Sequence, residues 1–176
     1  MENVAQFDVL VVYSAKIAAS ASAADSTAPF LTESKHADYN YPYTYFLQEC
    51  ARQNLKAAFT TSSDISGPGQ CDSYWTYADK GWTKHPGPCS APLIFDKFAP
   101  VSQLQAVKRK LFFSDPQCQP FSDHTLFSLF FDKHQMYQHL AQFSVPTVII
   151  KRGSHRSIAA SLKKLQALVA AHPHSA

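Results

Sequence analysis

Apolar positions along this chain switch between two periods. Phe7-Asp-Val-Leu-Val-Val-Tyr13 is a near-continuous apolar run, the pattern of a strand covered on both faces. Tyr43, Phe46, Leu47, Cys50 and Ala51 then recur at helical spacing behind Pro42, which suits the first turn of a helix. Asn54 suits the helix stop, and Ala57-Ala-Phe-Thr-Thr61 restores strand character. Strand, helix and strand in this order predict a right-handed crossover with the two strands as parallel neighbours.

Farther along, Ser73-Tyr-Trp-Thr-Tyr77, Asp79-Lys-Gly81 and Trp82-Thr83 predict a β-hairpin with a glycine turn. Two readings stay open for it: an exposed aromatic wall or interface, or a decorated sheet edge. Residues 92–97 predict a buried strand ending in charge, residues 101–110 a short helix, and Leu111-Phe-Phe113 a strand running into Ser-Asp-Pro116. Asp132, with Gln135 three residues on, forms an approximate capping box. Met136, Tyr137, Leu140 and Ala141 make the apolar face of the helix it opens. Pro146 pushes Val145 out of the α region, so that helix ends near Ser144, and Thr147-Val-Ile-Ile150 predicts a buried strand. Beyond Gly153, capped by Ser154 or Ser157, a last helix carries Ile158, Leu162, Leu165 and Val169 in one seam, with Lys163, Lys164 and Gln166 facing away.

The long connection over residues 14–41 starts at the carboxyl end of the first strand, where open α/β sheets place their ligands. Residues 15–24 are rich in Ala and Ser and predict a short helix, and Asp38-Tyr-Asn-Tyr-Pro-Tyr43 is aromatic and polar together. One reading is a loop closing over a small substrate, with Ser14, Lys16, Asn40 and Tyr41 as candidate contacts. The other is an insertion whose tyrosines pack on the domain. Gly67 and Gly69 do not make a phosphate loop, because Pro68 removes an amide donor between them and no Walker lysine follows.

The 176 residues are enough for one α/β domain with a real core and an appended helix. A net charge of +3 is too small on its own to argue for nucleic acid, and none is expected as a partner; Lys108-Arg-Lys110 and Lys163-Lys164 read as solvated helix faces. No apolar run is long enough to cross a bilayer, and the acidic start is unlike a secretory signal, so a cytoplasmic protein with no membrane partner is expected. Cys50, Cys71, Cys89 and Cys118 show no Cys-x-x-Cys spacing, and His134 and His139 fall on different sides of a helix, so no metal site is assigned. Cys50 reads as a small core residue.

The stretch from Phe127 to Thr147, an Asp-Lys pair opening an amphipathic helix that stops at a proline and enters a β-branched run, resembles the entry segment of the ATP-grasp superfamily. The preceding strand ending in Asp96-Lys97, the helix, and the polar-Asp-Pro turn at Ser114-Asp-Pro116 are similar to the front domain of its glutathione-synthetase-like branch. The resemblance covers most of residues 7–147 and departs from the family at two places. Ser114 stands where Asn often precedes Asp-Pro, and Lys97 stands where Arg commonly closes the strand. Lysine keeps the charge but loses the planar fork that grips a carboxylate.

The resemblance implies an α/β fold, a Rossmann-like mostly parallel sheet flanked by helices. Residues 1–150 would form this pre-ATP-grasp domain, and residues 151–176 a linker helix or the start of a missing ATP-grasp domain. It implies the substrate and scaffold domain of an ATP-dependent carboxylate–amine or carboxylate–thiol ligase, truncated before the nucleotide-binding domain. Lys133, the lysine of the Asp-Lys motif, would reach the nucleotide phosphates, and Lys97 joins Ser14, Lys16, Asn40 and Tyr41 as a substrate contact. ATP and magnesium would serve the full-length protein only, since phosphoryl transfer needs metal and positive groups that this stretch lacks. A small carboxylate or amine substrate and the missing domain are the expected partners; if that domain normally covers the last helix's seam, the seam is either exposed or paired with a second copy in a homodimer. The alternative is a self-contained α/β small-ligand-binding or regulatory module without catalysis.

Overall fold

The computed structural model describes residues 3–79, 81–100, 102–121, 133–140, 146–149 and 155–171. The chain divides into two compact units, Met1–Phe121 and Ser122–Ala176.

The first unit is built on an eight-stranded mixed sheet in the order β1-β6-β5-β3-β2-β7-β8, with β4 paired to β5. The strands are β1 (Ala5–Gln6), β2 (Val9–Tyr13), β3 (Ala57–Thr61), β4 (Ile65–Gly67), β5 (Gln70–Ala78), β6 (Gly81–Ser90), β7 (Leu93–Lys97) and β8 (Gln119–Pro120). Helix α1 (Asn40–Arg52) and helix α2 (Gln103–Phe112) complete the unit. The apolar run of β2 alternates as a doubly covered strand must. Leu10 and Val12 join Ala58, Ile94 and Phe112 in one core cluster, while Val11 joins Tyr43, Leu47, Phe59 and Trp75 in another. Tyr43 and Leu47 belong to α1 and Phe112 to α2, so each cluster draws on one of the two helices.

As expected, β2 and β3 are parallel, with Val11 opposite Phe59, and β7 lies parallel to β2 on the other side. The sheet as a whole is mixed, so the expected Rossmann-like, mostly parallel arrangement is met only in part. Residues 70–90 fold as a hairpin that turns at Gly81 (φ 103°), and a hairpin makes its strands antiparallel without a crossover helix. Strand β5 also runs antiparallel to β3, with Phe59 opposite Trp75. It therefore lies inside the sheet, and Trp75 is fully buried instead of forming an exposed wall or a decorated edge.

Helix α1 stops as its sequence indicated. Asn54 takes a left-handed φ of 59°, while the amides of Asn54 and Leu55 bond back to the carbonyls of Ala51 and Cys50, a Schellman motif. Helix α2 runs farther than expected. Ser102 caps it by accepting the Gln105 amide, and it continues through Leu111 and Phe112, so these residues are not a strand. The Arg109 guanidinium holds Asp96, at the end of β7, with two bonds of 2.9 and 2.6 Å, and Phe112 is driven into the core. Residues 15–24 are not helical either. Serine hydroxyls there compete for the backbone: Ser14 Oγ takes the Lys16 amide, Ser20 Oγ takes the Ser22 amide, and Ser26 Oγ donates to the Ala23 carbonyl.

In the second unit, α3 (Lys133–His139) and α4 (His155–Ala170) are helical. Asp132 and Ser154 lie outside the described residues, and Ser157 stands inside α4 rather than before it. Thr147 to Ile149, expected to begin a buried strand, lie outside the described helices and strands, and Ile149 is exposed. Of the seam on α4, Ile158, Leu162 and Val169 are exposed and Leu165 is half-buried.

Candidate functional site

Three parallel strands end at one level of the sheet, because Tyr13 is the register partner of both Thr61 and Lys97. The chain leaves all three strands on the side where α/β sheets expose backbone and loops for binding. Beside this edge lies a cleft of about 530 Å³. Tyr13 and Phe95 line it from the sheet, Tyr43, Phe46 and Glu49 from α1, Tyr39 from the short 3-10 turn before α1, and Lys97 from the end of β7.

The walls are mutually packed aromatic rings. Phe46 meets Phe95 at 5.2 Å between centroids, Tyr13 meets Tyr43 edge-on at 5.5 Å, and the Lys97 ammonium sits 5.3 Å over the Phe95 ring. Burial pushes the Tyr43 phenol well above its usual range, and the adjacent Tyr13 reinforces this, both through its charge and through a hydrogen bond from Tyr43. Tyr13 is raised too, by burial and then by Tyr39, against a lowering from the same bond. Both groups therefore face the site as neutral hydroxyls. The Glu49 carboxylate is engaged by Arg52 one turn along the helix.

At the same edge of the sheet, the loop following β3 holds a buried carboxylate. Asp64 accepts the Thr61 amide at 3.2 Å, the Thr61 hydroxyl at 2.6 Å and the Ser73 hydroxyl at 3.0 Å. The hydroxyl of Ser20 also donates to it, so the long loop after β2 is tied to the sheet. Ser62 adds a second tie by accepting the Ala15 amide at 3.0 Å. Trp75 adds a third, its indole donating to the Ala19 carbonyl at 3.1 Å.

Of the candidate contacts the sequence singled out, and among the described residues, only Lys97 lines this cleft. Ser14 shapes a turn, its carbonyl accepting the Ile17 and Ala18 amides, and Lys16 is exposed. Asn40 clamps the long loop: its side chain accepts the Phe30 amide at 3.1 Å and donates to the Phe30 carbonyl at 2.5 Å. Tyr41 is 78% exposed on the outer side of α1. Lys133 begins α3, and its side chain lies outside the described residues. Sequence reasoning missed Tyr13, Tyr39, Glu49 and Phe95, and it took Tyr43 and Phe46 as packing alone. The available signal was that Tyr13 and Phe95 stand at or near the carboxyl ends of adjacent strands.

Among the described residues, no group of His, Cys, Asp and Glu is arranged to hold a metal ion, and no helix is long and apolar enough to cross a membrane. Comparison with protein-family models, with curated proteins and with solved structures finds no match to this chain.

Proposed function

We propose that residues 1–121 form a small-ligand-binding α/β domain whose site is the aromatic cleft between α1 and the carboxyl ends of β2 and β7. The observation that carries this reading is the cleft's position and size. A volume of about 530 Å³ at a parallel-strand edge falls within the range of small-molecule sites. Its lining also has the usual make-up of such sites, aromatic walls with a few polar groups to orient a ligand. Titration of the isotope-labelled chain with small aromatic fragments tests it by NMR. Shifts centred on the amides of Tyr13, Phe46 and Lys97 are expected. Shifts absent there, or spread over the surface, overturn the reading.

A second reading is favoured by Lys97 closing β7 at the cleft. In it, the domain is the front part of an ATP-dependent carboxylate–amine or carboxylate–thiol ligase, and the cleft holds the acid to be activated. ATP and magnesium then belong to a separate nucleotide-binding domain, with Lys133 reaching the phosphates. A longer protein containing that domain should hydrolyse ATP only when a carboxylate acceptor is supplied. Lys133→Ala should weaken its nucleotide binding, and unchanged binding excludes the assignment.

A further inference from the structure

We infer that the ligand of this cleft is an anion with a flat apolar body, a small aromatic carboxylate rather than an amine. The inference rests on the cleft being the binding site, and it follows from the charges around it. Lys97 and Glu49 are the charged residues of the lining. Arg52, three residues along the same helix, already engages Glu49. Among the described residues, no carboxylate pairs with Lys97, whose ammonium is held over Phe95 at the cleft. The unmatched charge of the site is therefore positive.

Ring faces attract cations, and an amine could in principle use them. Here Lys97 already occupies the face of Phe95, so an incoming ammonium would meet a like charge on the ring it needs. A carboxylate meets the opposite situation, a charge-assisted hydrogen bond from Lys97 with neutral phenols close by. The apolar half of the ligand is set by the floor. Phe46, 5.2 Å from Phe95 between centroids, and the edge-on Tyr13–Tyr43 pair give the cleft ring surface besides the Phe95 face that Lys97 takes, and a planar group can pack there.

Benzoate, benzyl alcohol and benzylamine share one ring and differ in charge, so they separate the two halves of the inference. NMR titration of the full chain should give affinity in the order benzoate, benzyl alcohol, benzylamine. Lys97→Ala should weaken benzoate about tenfold, the loss of one charge-assisted bond, and leave benzyl alcohol unchanged. Lys97→Arg should keep most of the benzoate affinity. Benzylamine binding as tightly as benzoate, or benzoate binding that ignores Lys97→Ala, overturns the anion assignment while the cleft remains a site. If none of the three probes shifts the cleft amides, the site itself is wrong and the inference falls with it.

Discussion

Replacing Asp64 with alanine removes the acceptor of four hydrogen bonds, from the Thr61 amide and the hydroxyls of Thr61, Ser73 and Ser20. Asp64, Thr61 and Ser73 are buried, so water cannot simply take over. At a net value of roughly 1–1.5 kcal/mol each, the four bonds sum to roughly 4–6 kcal/mol. Part of this is recoverable. The Ser20 hydroxyl already lies 2.7 Å from Ser22 Oγ, and the Thr61 hydroxyl 2.7 Å from Ser63 Oγ, so two donors have partners waiting. We therefore expect a loss of about 3 kcal/mol for Asp64→Ala, and about half of that for Asp64→Asn, which keeps one carbonyl acceptor.

Urea unfolding followed by tryptophan fluorescence is the assay. The chain's two tryptophans, Trp75 and Trp82, both lie in the first unit, and Trp75 is bonded to the loop that Asp64 anchors. With a urea slope of about 1.5 kcal/mol per molar, the midpoint for Asp64→Ala should fall by about 2 M. Ser20→Ala and Asp64→Ala should also be non-additive, since the second removes a partner the first has already lost. A midpoint within about 0.3 M of the parent, or strict additivity, refutes the claim that this carboxylate anchors the loop.

Two further outcomes follow from the packing. Gly69 has φ +62°, and a Cβ there would stand 2.6 Å from an Asp115 carboxylate oxygen and 2.7 Å from the Cys118 sulfur. Gly69→Ala should therefore cost about 2–4 kcal/mol in the same urea assay, and a loss under about 0.5 kcal/mol would show that the turn relaxes freely. Burial, with the Asp64 and Asp72 carboxylates adding to it, pushes the Cys89 thiol up to about 12. In the unfolded chain this thiol loses its proton near about pH 8.5 while the folded one keeps it, so stability is full below that value and falls as pH rises towards the folded pKa. The slope is up to about 1.4 kcal/mol per pH unit for such a thiol, and urea midpoints that stay level from about pH 9 to 11 contradict it.

Local pattern made part of this molecule legible. Residues 7–13 and 57–61 form strands because their apolar runs suit a doubly covered sheet, and residues 43–51 form a helix because their apolar positions repeat at its period. Asn54 ended that helix for a reason visible in one residue, its tolerance of positive φ. The misreadings have equally physical causes. An Ala/Ser stretch looks helical until its hydroxyls compete with the helix for backbone partners, and Leu111-Phe-Phe113 looks like a strand until Phe112 finds the core as the last turn of α2. Asn40 is polar beside the cleft, yet both ends of its amide are used on Phe30, a contact across ten positions that no local pattern announces.

By itself, the sequence determined the first strand–helix–strand unit, the face its helix buries, and that a charged residue, Lys97, closes one of the strands. The tertiary structure alone decided the rest. The hairpin could have hung at an edge, but pairing Trp75 with Phe59 buried both rings and made the sheet mixed. The cleft exists because Tyr13 and Phe95 on adjacent strands share a sheet face with Tyr43 and Phe46 of α1. An aromatic residue reads the same in one dimension whether it fills a core or lines a site, because the difference lies in how completely distant segments cover it.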